Sequence, residues 1–192
     1  MSERRAQLLD LAERVLERDG IERFGMNAVA REAGIRPPSL YKHFSGAEDL
    51  EHALISRWFR RLALAFEEGA ESDADPEPAL DPEPALDPEP AAAATLIARF
   101  AEVYRENALA APQLYRLATE RPLDRSLLEE GVEAAAMTAV LEALGETAED
   151  HDRARFIWAA AHGLVSLELA GRFPPEADLE GPWRILVETA EA

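Results

Sequence analysis

Apolar residues recur at intervals of three and four positions through most of the chain, which places them on one face of an α-helix. Ala, Leu, Glu and Arg are abundant and favour helix, whereas β-branched residues are few. We therefore expect an all-α protein of about nine helices without a sheet. The predicted helices cover residues 3–19, 26–33, 38–44, 47–71, 91–109, 113–120, 124–144, 150–173 and 180–190.

Glycines, prolines and short polar residues mark the ends of these helices. Gly20 and Gly34 each follow an apolar repeat, as expected of residues that end a helix. Pro37 and Pro38 suit the entry of a helix, because a proline at the first helical position loses no needed donor. The candidate N-cap residues are Gly25 or Asn27, Ser45, Asp124 and Thr147.

A six-residue repeat, Asp-Pro-Glu-Pro-Ala-Leu, begins at Asp75 and runs to Pro90. Proline removes backbone donors and the carboxylates repel one another, so we expect a disordered, exposed loop over 73–90. Its simplest interpretation is a passive insertion between two helices.

Two short helices joined by a turn that contains Gly34 form a predicted helix-turn-helix. Leu40 and Phe44 lie four residues apart on one face of its second helix and should pack inward. The outward residues supply hydroxyl, ammonium and imidazole groups that suit contacts with phosphates and base edges. They are Ser39, Tyr41, Lys42 and His43, with Arg36 in the preceding turn.

The net charge of −18 argues at first against a nucleic-acid partner, because phosphates attract basic surfaces. Its distribution changes the picture: residues 1–61 carry 11 Lys and Arg against 10 Asp and Glu, whereas 62–192 carry 9 against 28. Residues 33–47 contain no acidic residue. Charges farther than about 8 Å from a docked phosphate are largely screened at physiological salt, so the local charge decides.

Val29-Ala30 and Ala33-Gly34-Ile35, followed by Ser39-Leu40-Tyr41-Lys42-His43-Phe44, resemble the N-terminal domain of the tetracycline repressor (TetR) family over about residues 4–60. The resemblance implies DNA contacts at the Pro, Ser, Tyr and His positions of helix 3. Our full set of candidate DNA contacts is Arg4, Asn27, Arg36, Pro38, Ser39, Tyr41, Lys42 and His43.

Two positions depart from the family pattern and concern phosphate contacts. Gly25 stands where the family usually has a Thr, and Ala47 where it usually has a Lys. Their loss should weaken binding to all sequences equally, and Arg4, Arg5 and Arg36 are candidates to compensate.

Tyr104-Arg105, Pro112 to Leu117 and Trp158 to Leu164 are similar to the TetR C-terminal class that carries a Trp-His-Gly motif. These residues are candidates for a ligand pocket, although a place in the core is the simpler interpretation of each. The candidates are Phe100, Tyr104, Tyr115, Met137, Trp158 and His162. A stripe of small and apolar residues, together with the last helix, suggests a subunit interface. Its candidates are Ala160, Gly163, Leu164, Leu167, Gly171, Trp183, Leu186 and Val187.

The resemblance implies a DNA-binding domain at 1–60, linked by helix 4 to a ligand-sensing and dimerising helical bundle at 61–192. It implies a homodimeric repressor that binds a palindromic operator in duplex DNA and responds to an unknown small-molecule effector. An acidic helical interaction module without DNA binding is the alternative.

Other classes of protein find no support in the sequence. The chain has no Cys, no run of about 18 apolar residues and no signal-peptide pattern, so we expect a cytoplasmic protein without a membrane partner. His43, His52, His151 and His162 lack the spacing of a metal site, and no Gly-rich phosphate loop or nucleophile turn occurs. We therefore expect neither enzymatic activity nor a cofactor or metal.

Overall fold

The computed structural model describes residues 2–73, 90–145 and 147–191, which form nine α-helices and one short 3₁₀ helix but no strand. The predicted all-α class is confirmed for this part of the chain. The helices are α1 (Glu3–Asp19), α2 (Met26–Glu32), α3 (Pro37–Leu40), α4 (Ala47–Asp73), α5 (Pro90–Ala110), α6 (Pro112–Glu120), α7 (Val132–Leu144), α8 (Ala148–Leu169) and α9 (Glu180–Glu191).

Side chains satisfy backbone donors at several helix starts. Thr147 accepts a hydrogen bond from the backbone N–H of Asp150, whose carboxylate accepts one from Thr147 in return, which completes a capping box. Asp124 accepts from the backbone N–H of Ser126 at the start of the 3₁₀ helix. Both predicted caps are confirmed.

Three predicted elements differ from the structure. Helix 3 is regular only over Pro37–Leu40, and a turn replaces the predicted helix at Tyr41–His43. The helix predicted over 124–144 is split into a 3₁₀ helix at Arg125–Leu127 and α7, because Gly131 between them has a φ of 75°. The prediction over 150–173 was too long, since α8 ends at Leu169.

Ser45 does not cap α4 as predicted. Its backbone N–H and its hydroxyl both donate to the carboxylate of Asp49, at 2.7 and 3.2 Å. The side chain of Asp49, at the third helical position, therefore accepts hydrogen bonds from Ser45, which lies two residues before the helix, whereas in a serine cap the serine side chain would be the acceptor.

The first of two compact units combines Met1–Arg60 with Ala110–Glu133. Within it, α1 packs against α2 and α6, and α2 packs against α3. The rings of Trp58 and Tyr115 meet edge to face with their centroids 5.7 Å apart. Residues 110–133 thus share one hydrophobic core with the predicted DNA-binding domain. Its buried side chains include Leu8, Leu16, Val29, Leu40, Phe44, Leu54, Trp58 and Leu114.

The second unit combines Arg61–Leu109 with Ala134–Ala192. The rings of Phe66 and Phe100 stack at 6.0 Å, and α8 packs against α9. Arg105 of α5 donates to both oxygens of Glu168 on α8 at 3.0 Å, and to Glu180 of α9 at 2.7 Å. This arginine links three helices.

Residues 74–89, which contain most of the predicted loop over 73–90, lie outside the described residues; Asp73 ends α4 and Pro90 begins α5. Among the residues that are described, none of the helices has both the length and the apolar character that crossing a membrane requires.

Candidate nucleic-acid interface

The turn between α2 and α3 is built on Gly34, whose φ of 65° favours glycine. Past this residue, the backbone N–H of Ile35 donates to the carbonyl of Ala30 at 3.0 Å, which closes the end of α2. Arg36 has extended backbone angles and Pro37 opens α3. The chain therefore forms the helix-turn-helix that the sequence predicts.

Leu40 and Phe44 fix the orientation of the second helix and of the turn that follows it. Leu40 is 0% exposed and Phe44 is 1% exposed. Between them, the Tyr41 side chain is 54% exposed, Lys42 is exposed and His43 is half-buried. The predicted division into inward and outward residues is therefore present in the structure.

The other candidate DNA contacts lie on the surface of the first unit. Arg36, Pro38 and Asn27 are exposed, and Ser39 is half-buried. Arg4 is exposed on the first turn of α1, where its guanidinium donates to the side chain of Gln7 at 3.2 Å.

We refer to Arg36 through His43 as the recognition edge. Within the described part of the chain, Arg36 and Lys42 form no ion pair, so both positive charges are available to a phosphate or a base. Of the acidic residues that flank the edge, Glu32 bonds Arg18 at 2.8 Å and Asp49 bonds Arg5 at 2.8 Å, while Glu48 is exposed in the first turn of α4. The edge is therefore locally cationic.

The hydrogen bonds around Asp49 also affect its ionisation. Partial burial raises the pKa of the Asp49 carboxyl, but hydrogen bonds from Arg5 and Ser45 outweigh this effect and hold the pKa below its ordinary value. Asp49 is therefore a carboxylate at neutral pH.

Sequence reasoning missed the side chains that bind residues 110–133 to α1 and α4. Glu17 accepts from the backbone N–H groups of Gln113 and Leu114, at 3.2 and 2.7 Å. Nε2 of the buried His52 accepts a hydrogen bond from the backbone N–H of Asp124 at 2.9 Å. The hydroxyl of the buried Ser56 accepts a hydrogen bond from the backbone N–H of Glu129 at 3.0 Å. The only sequence signal is a polar residue on an otherwise apolar face, as at His52 and Ser56.

The predicted pocket residues belong to both units. Phe100 and Tyr104 are neighbours in the core of the second unit, with ring centroids 5.5 Å apart. Tyr115 belongs to the first unit. Trp158, expected in the core, is 42% exposed and stacks on His162 at 5.8 Å. Met137 on α7 is half-buried.

A cavity of about 440 Å³ lies between α5 and α9 of the second unit. None of the predicted pocket residues lines it, but Trp183 and Val187, which were predicted for the subunit interface, both do. Its lining includes Ala101, Glu102 and Arg105 of α5. The guanidinium of Arg105 lies 5.7 Å from the centroid of the Trp183 ring.

The predicted interface residues fall into two groups. Leu167 and Gly171 are exposed, while Ala160, Gly163 and Leu164 are half-buried on α8. In contrast, Trp183 and Leu186 are each only 7% exposed and face the interior of their own unit, and Val187 is half-buried. The most exposed large apolar side chains described on α8 and α9 are Phe156, 61% exposed, and Ile185, 59% exposed.

Among the described residues, no three His, Asp or Glu side chains are grouped so that they could hold a metal ion.

Two family models match the chain. Residues 8–54 match the model described as "Bacterial regulatory proteins, tetR family", and residues 97–190 match "Tetracyclin repressor-like, C-terminal domain". The first match contains the whole helix-turn-helix, and the second contains α6 to α9 with most of α5.

Two curated relatives are named as transcriptional regulators. The chain is 28% identical over 173 residues to the "Uncharacterized HTH-type transcriptional regulator Rv0681" of Mycobacterium tuberculosis, which covers 87% of this chain and 71% of the relative. It is 34% identical over 55 residues to the HTH-type transcriptional regulator SAUSA300_2515 of Staphylococcus aureus. That second match spans only 29% of this chain and 30% of the relative.

Solved structures share the fold. A protein of Streptomyces coelicolor described as a "possible TetR family transcriptional regulator" superimposes with a TM-score of 0.69 at 15% identity, over 96% of this chain and 97% of the other. The multidrug binding protein EbrR, solved in complex with imidazole, superimposes with a TM-score of 0.60 at 24% identity, over 98% and 95%. At these identities the similarity extends to the fold alone.

Proposed function

Because the chain belongs to the TetR family of helix-turn-helix transcriptional regulators, we propose that it is a homodimeric repressor that binds a palindromic operator in duplex DNA and responds to a small molecule. The family and the fold are regulatory rather than enzymatic. A cytoplasmic location, where such a protein meets DNA, is part of the proposal.

The observation that carries the proposal is the contrast in side-chain burial along the recognition edge and Phe44, which follows it. Leu40 and Phe44 are almost fully buried, while Tyr41 between them is more than half exposed. A phenol, an ammonium and an imidazole on one turn suit phosphate and base-edge contacts in the major groove.

The acidic remainder of the chain is compatible with this proposal. Two carboxylates that flank the recognition edge, those of Glu32 and Asp49, are paired with arginines. More distant ones are screened beyond about 8 Å at physiological salt. We therefore expect binding that depends on local contacts and weakens steeply as salt increases.

An exposed apolar face on α8 and α9 supports the homodimer. Phe156, Gly163 and Leu167 lie at positions i, i+7 and i+11 of α8, so they share one face of the helix. With Ile185 on α9, this face is a candidate for an isologous contact with a second copy. Two copies of the recognition edge about 34–36 Å apart would meet successive major grooves.

We place the response to a small molecule in the second unit. EbrR, which shares the fold, is a multidrug binding protein. Trp158 and His162 stack without being buried, so this pair offers a flat surface to a ligand. A ligand that binds one conformation of the dimer more tightly than another would shift the population able to bind DNA.

The alternative is an acidic interaction module that binds no DNA. Its supporting observation is the excess of carboxylates over residues 62–192, which would suit a basic partner. Such a module should be indifferent to duplex DNA at every salt concentration, whereas the proposed regulator should bind it most tightly in dilute buffer.

Enrichment of random duplex DNA by the purified chain tests the proposal. We expect the enriched sequences to contain inverted half-sites whose centres are about 10 base pairs, or a multiple of that, apart. The matched control is Tyr41→Ala, which removes an exposed side chain and should leave the fold intact. A wild-type protein that enriches no sequence would overturn the proposal, as would a Tyr41→Ala variant that enriches the same sequence equally well.

A further inference from the structure

Arg5 is the arginine of α1 that touches the end of the recognition edge. Its Nε donates to the backbone carbonyl of His43 at 3.0 Å. Its guanidinium carbon lies 4.5 Å from the centroid of the Phe44 ring, which is a cation–π distance. One terminal nitrogen donates to Asp49 at 2.8 Å. Arg5 therefore contacts His43, the last residue of the recognition edge, Phe44 directly after it, and Asp49 on α4.

Asp49 extends this contact to a third consecutive residue. Its Oδ2 accepts from both the backbone N–H and the hydroxyl of Ser45, while its Oδ1 accepts from Arg5. The side chains of Arg5 and Asp49 are only 27% and 26% exposed. Together the two residues hold the segment 43–45 through three hydrogen bonds and one ring contact, and a further hydrogen bond joins Arg5 to Asp49.

The backbone of the recognition edge needs contacts from other helices because α3 is so short. α3 comprises four residues, and Tyr41 to His43 form a turn. The turn is closed by hydrogen bonds from the backbone N–H groups of His43 and Phe44 to the carbonyl of Leu40, at 2.9 and 3.1 Å. A helix of this length is not stable by itself, so contacts from other elements set its geometry.

We propose that Arg5 is a positioning residue for DNA recognition: paired with Asp49, it holds the backbone at His43 and Phe44 and does not contact the duplex. This inference rests on the proposed function. The planar fork of an arginine can donate to two acceptors while stacking on a ring, which a lysine cannot do. The role therefore depends on the shape of the side chain as well as on its charge.

The competing role for Arg5 is a direct phosphate contact, as its exposed neighbour Arg4 is expected to make. The two roles differ in their thermodynamics. Loss of a phosphate contact weakens binding to all sequences and makes the slope of log K against log salt less steep by about 0.9. Loss of a positioning contact instead reduces the preference for the correct sequence.

The test compares Arg5→Met with Arg4→Met, which changes the net charge by the same amount. Affinities of the full chain are measured for the enriched duplex and for a scrambled duplex, and the salt slope is measured on the scrambled duplex. We expect Arg5→Met to lower the ratio of the two affinities at least about tenfold, which is the discrimination of one good base contact. Its salt slope should equal that of the wild type.

Stability cannot produce this result, because a partly unfolded sample loses both affinities equally and keeps their ratio. Should Arg5→Met fail to fold, Arg5→Lys serves in its place and should show the same loss of ratio. Asp49→Ala should also lower the ratio, and the double variant should lower it no further, since both residues act as one unit.

An unchanged ratio in the folded Arg5 variant would overturn the inference, and so would a salt slope that falls by about one. If the wild type itself binds no duplex, the proposed function fails, which is a different result. Arg4→Met should behave in the opposite way: its slope of log K against log salt should be less steep than that of the wild type. Its ratio of affinities for the enriched and scrambled duplexes should equal that of the wild type.

Discussion

At the scale of single residues, the paired carboxylate of Asp49 links the stability of the first unit to pH. Because the folded protein lowers its pKa below the value of about 3.9 found in unfolded chains, ionised Asp49 stabilises the fold above that value. The contribution is lost as the pH falls through the folded pKa.

We predict that Asp49→Asn lowers the free energy of unfolding at pH 7, and that its difference from the wild type shrinks as the pH falls below about 4. Urea unfolding at a series of pH values measures this difference. The exposed Asp152 provides a control, Asp152→Asn. A gap between wild type and Asp49→Asn that stays constant down to pH 2 would show that the charge of Asp49 is irrelevant.

Ala47 is a second residue with a testable role. It is exposed at the first position of α4, where family members usually carry a lysine. Ala47→Lys should tighten binding to every duplex and make the salt slope steeper by about 0.9, because it adds one phosphate contact. Anisotropy titrations on the enriched and scrambled duplexes measure both quantities. Unchanged affinity for both would remove this position from the interface.

The burial of residues that share one face of a helix was predictable from the sequence. Hydrogen bonds between residues far apart in the sequence were not. The i, i+4 spacing of Leu40 and Phe44 predicted their burial, and the structure agrees. Arg5 was expected to be a candidate phosphate contact, because its spacing in α1 says nothing about His43, 38 residues away. Long-range hydrogen bonds leave no periodic pattern in the sequence.

At the scale of the elements, α6 begins at a residue that cannot cap it. Its N-cap is Ala111, whose side chain accepts no hydrogen bond. Glu17 of α1 supplies the missing acceptor to the next two free backbone N–H groups, at Gln113 and Leu114. A negative charge there is also favoured by the helix dipole.

We predict that Glu17→Ala lowers the free energy of unfolding by about 1–3 kcal/mol, because it leaves two part-buried donors without a partner. Glu17→Gln, which retains an acceptor but no charge, should cost less. Urea unfolding compares both with Glu22→Ala, which removes an exposed carboxylate in the turn after α1. Equal stability of Glu17→Ala and Glu22→Ala would mean that the cap contributes nothing.

Helix existence followed from the sequence more reliably than helix length. α1 has the predicted bounds because Ser2 accepts a hydrogen bond at its start and Gly20 follows its end. The long helix predicted over 124–144 is interrupted because Gly131 has a left-handed φ of 75°. Apolar spacing persists across such an interruption, so periodicity alone does not detect it.

At the scale of the whole molecule, the chain segments that form each unit were not predictable. Residues 110–133 join the first unit through side chains of α1 and α4 that accept from its backbone, and no property of the segment itself indicates this. The functional division at residue 60 stays a prediction. A structural consequence is that residues 110–133 and the recognition edge belong to the same compact unit.

The exposed face of α8 and α9 yields a prediction about assembly. Phe156→Glu combined with Ile185→Glu should convert a dimer into a monomer, because two like charges from each copy would meet in an apolar contact. Analytical ultracentrifugation measures the change. Trp158→Gln lies on the other side of α8 and should leave the dimer intact. A charged double variant that remains dimeric would place the interface elsewhere.

The central claim is that a locally cationic edge of an acidic protein binds duplex DNA, and the salt dependence of binding tests it most directly. Anisotropy titrations of a random duplex with the wild type and with Lys42→Met should both show affinity falling as salt rises. The account predicts that the slope of log K against log salt is less steep by about 0.9 in the variant, because Lys42 is exposed and unpaired in the described residues. Failure of the wild type to bind any duplex in dilute buffer, or identical slopes for both proteins, would contradict it.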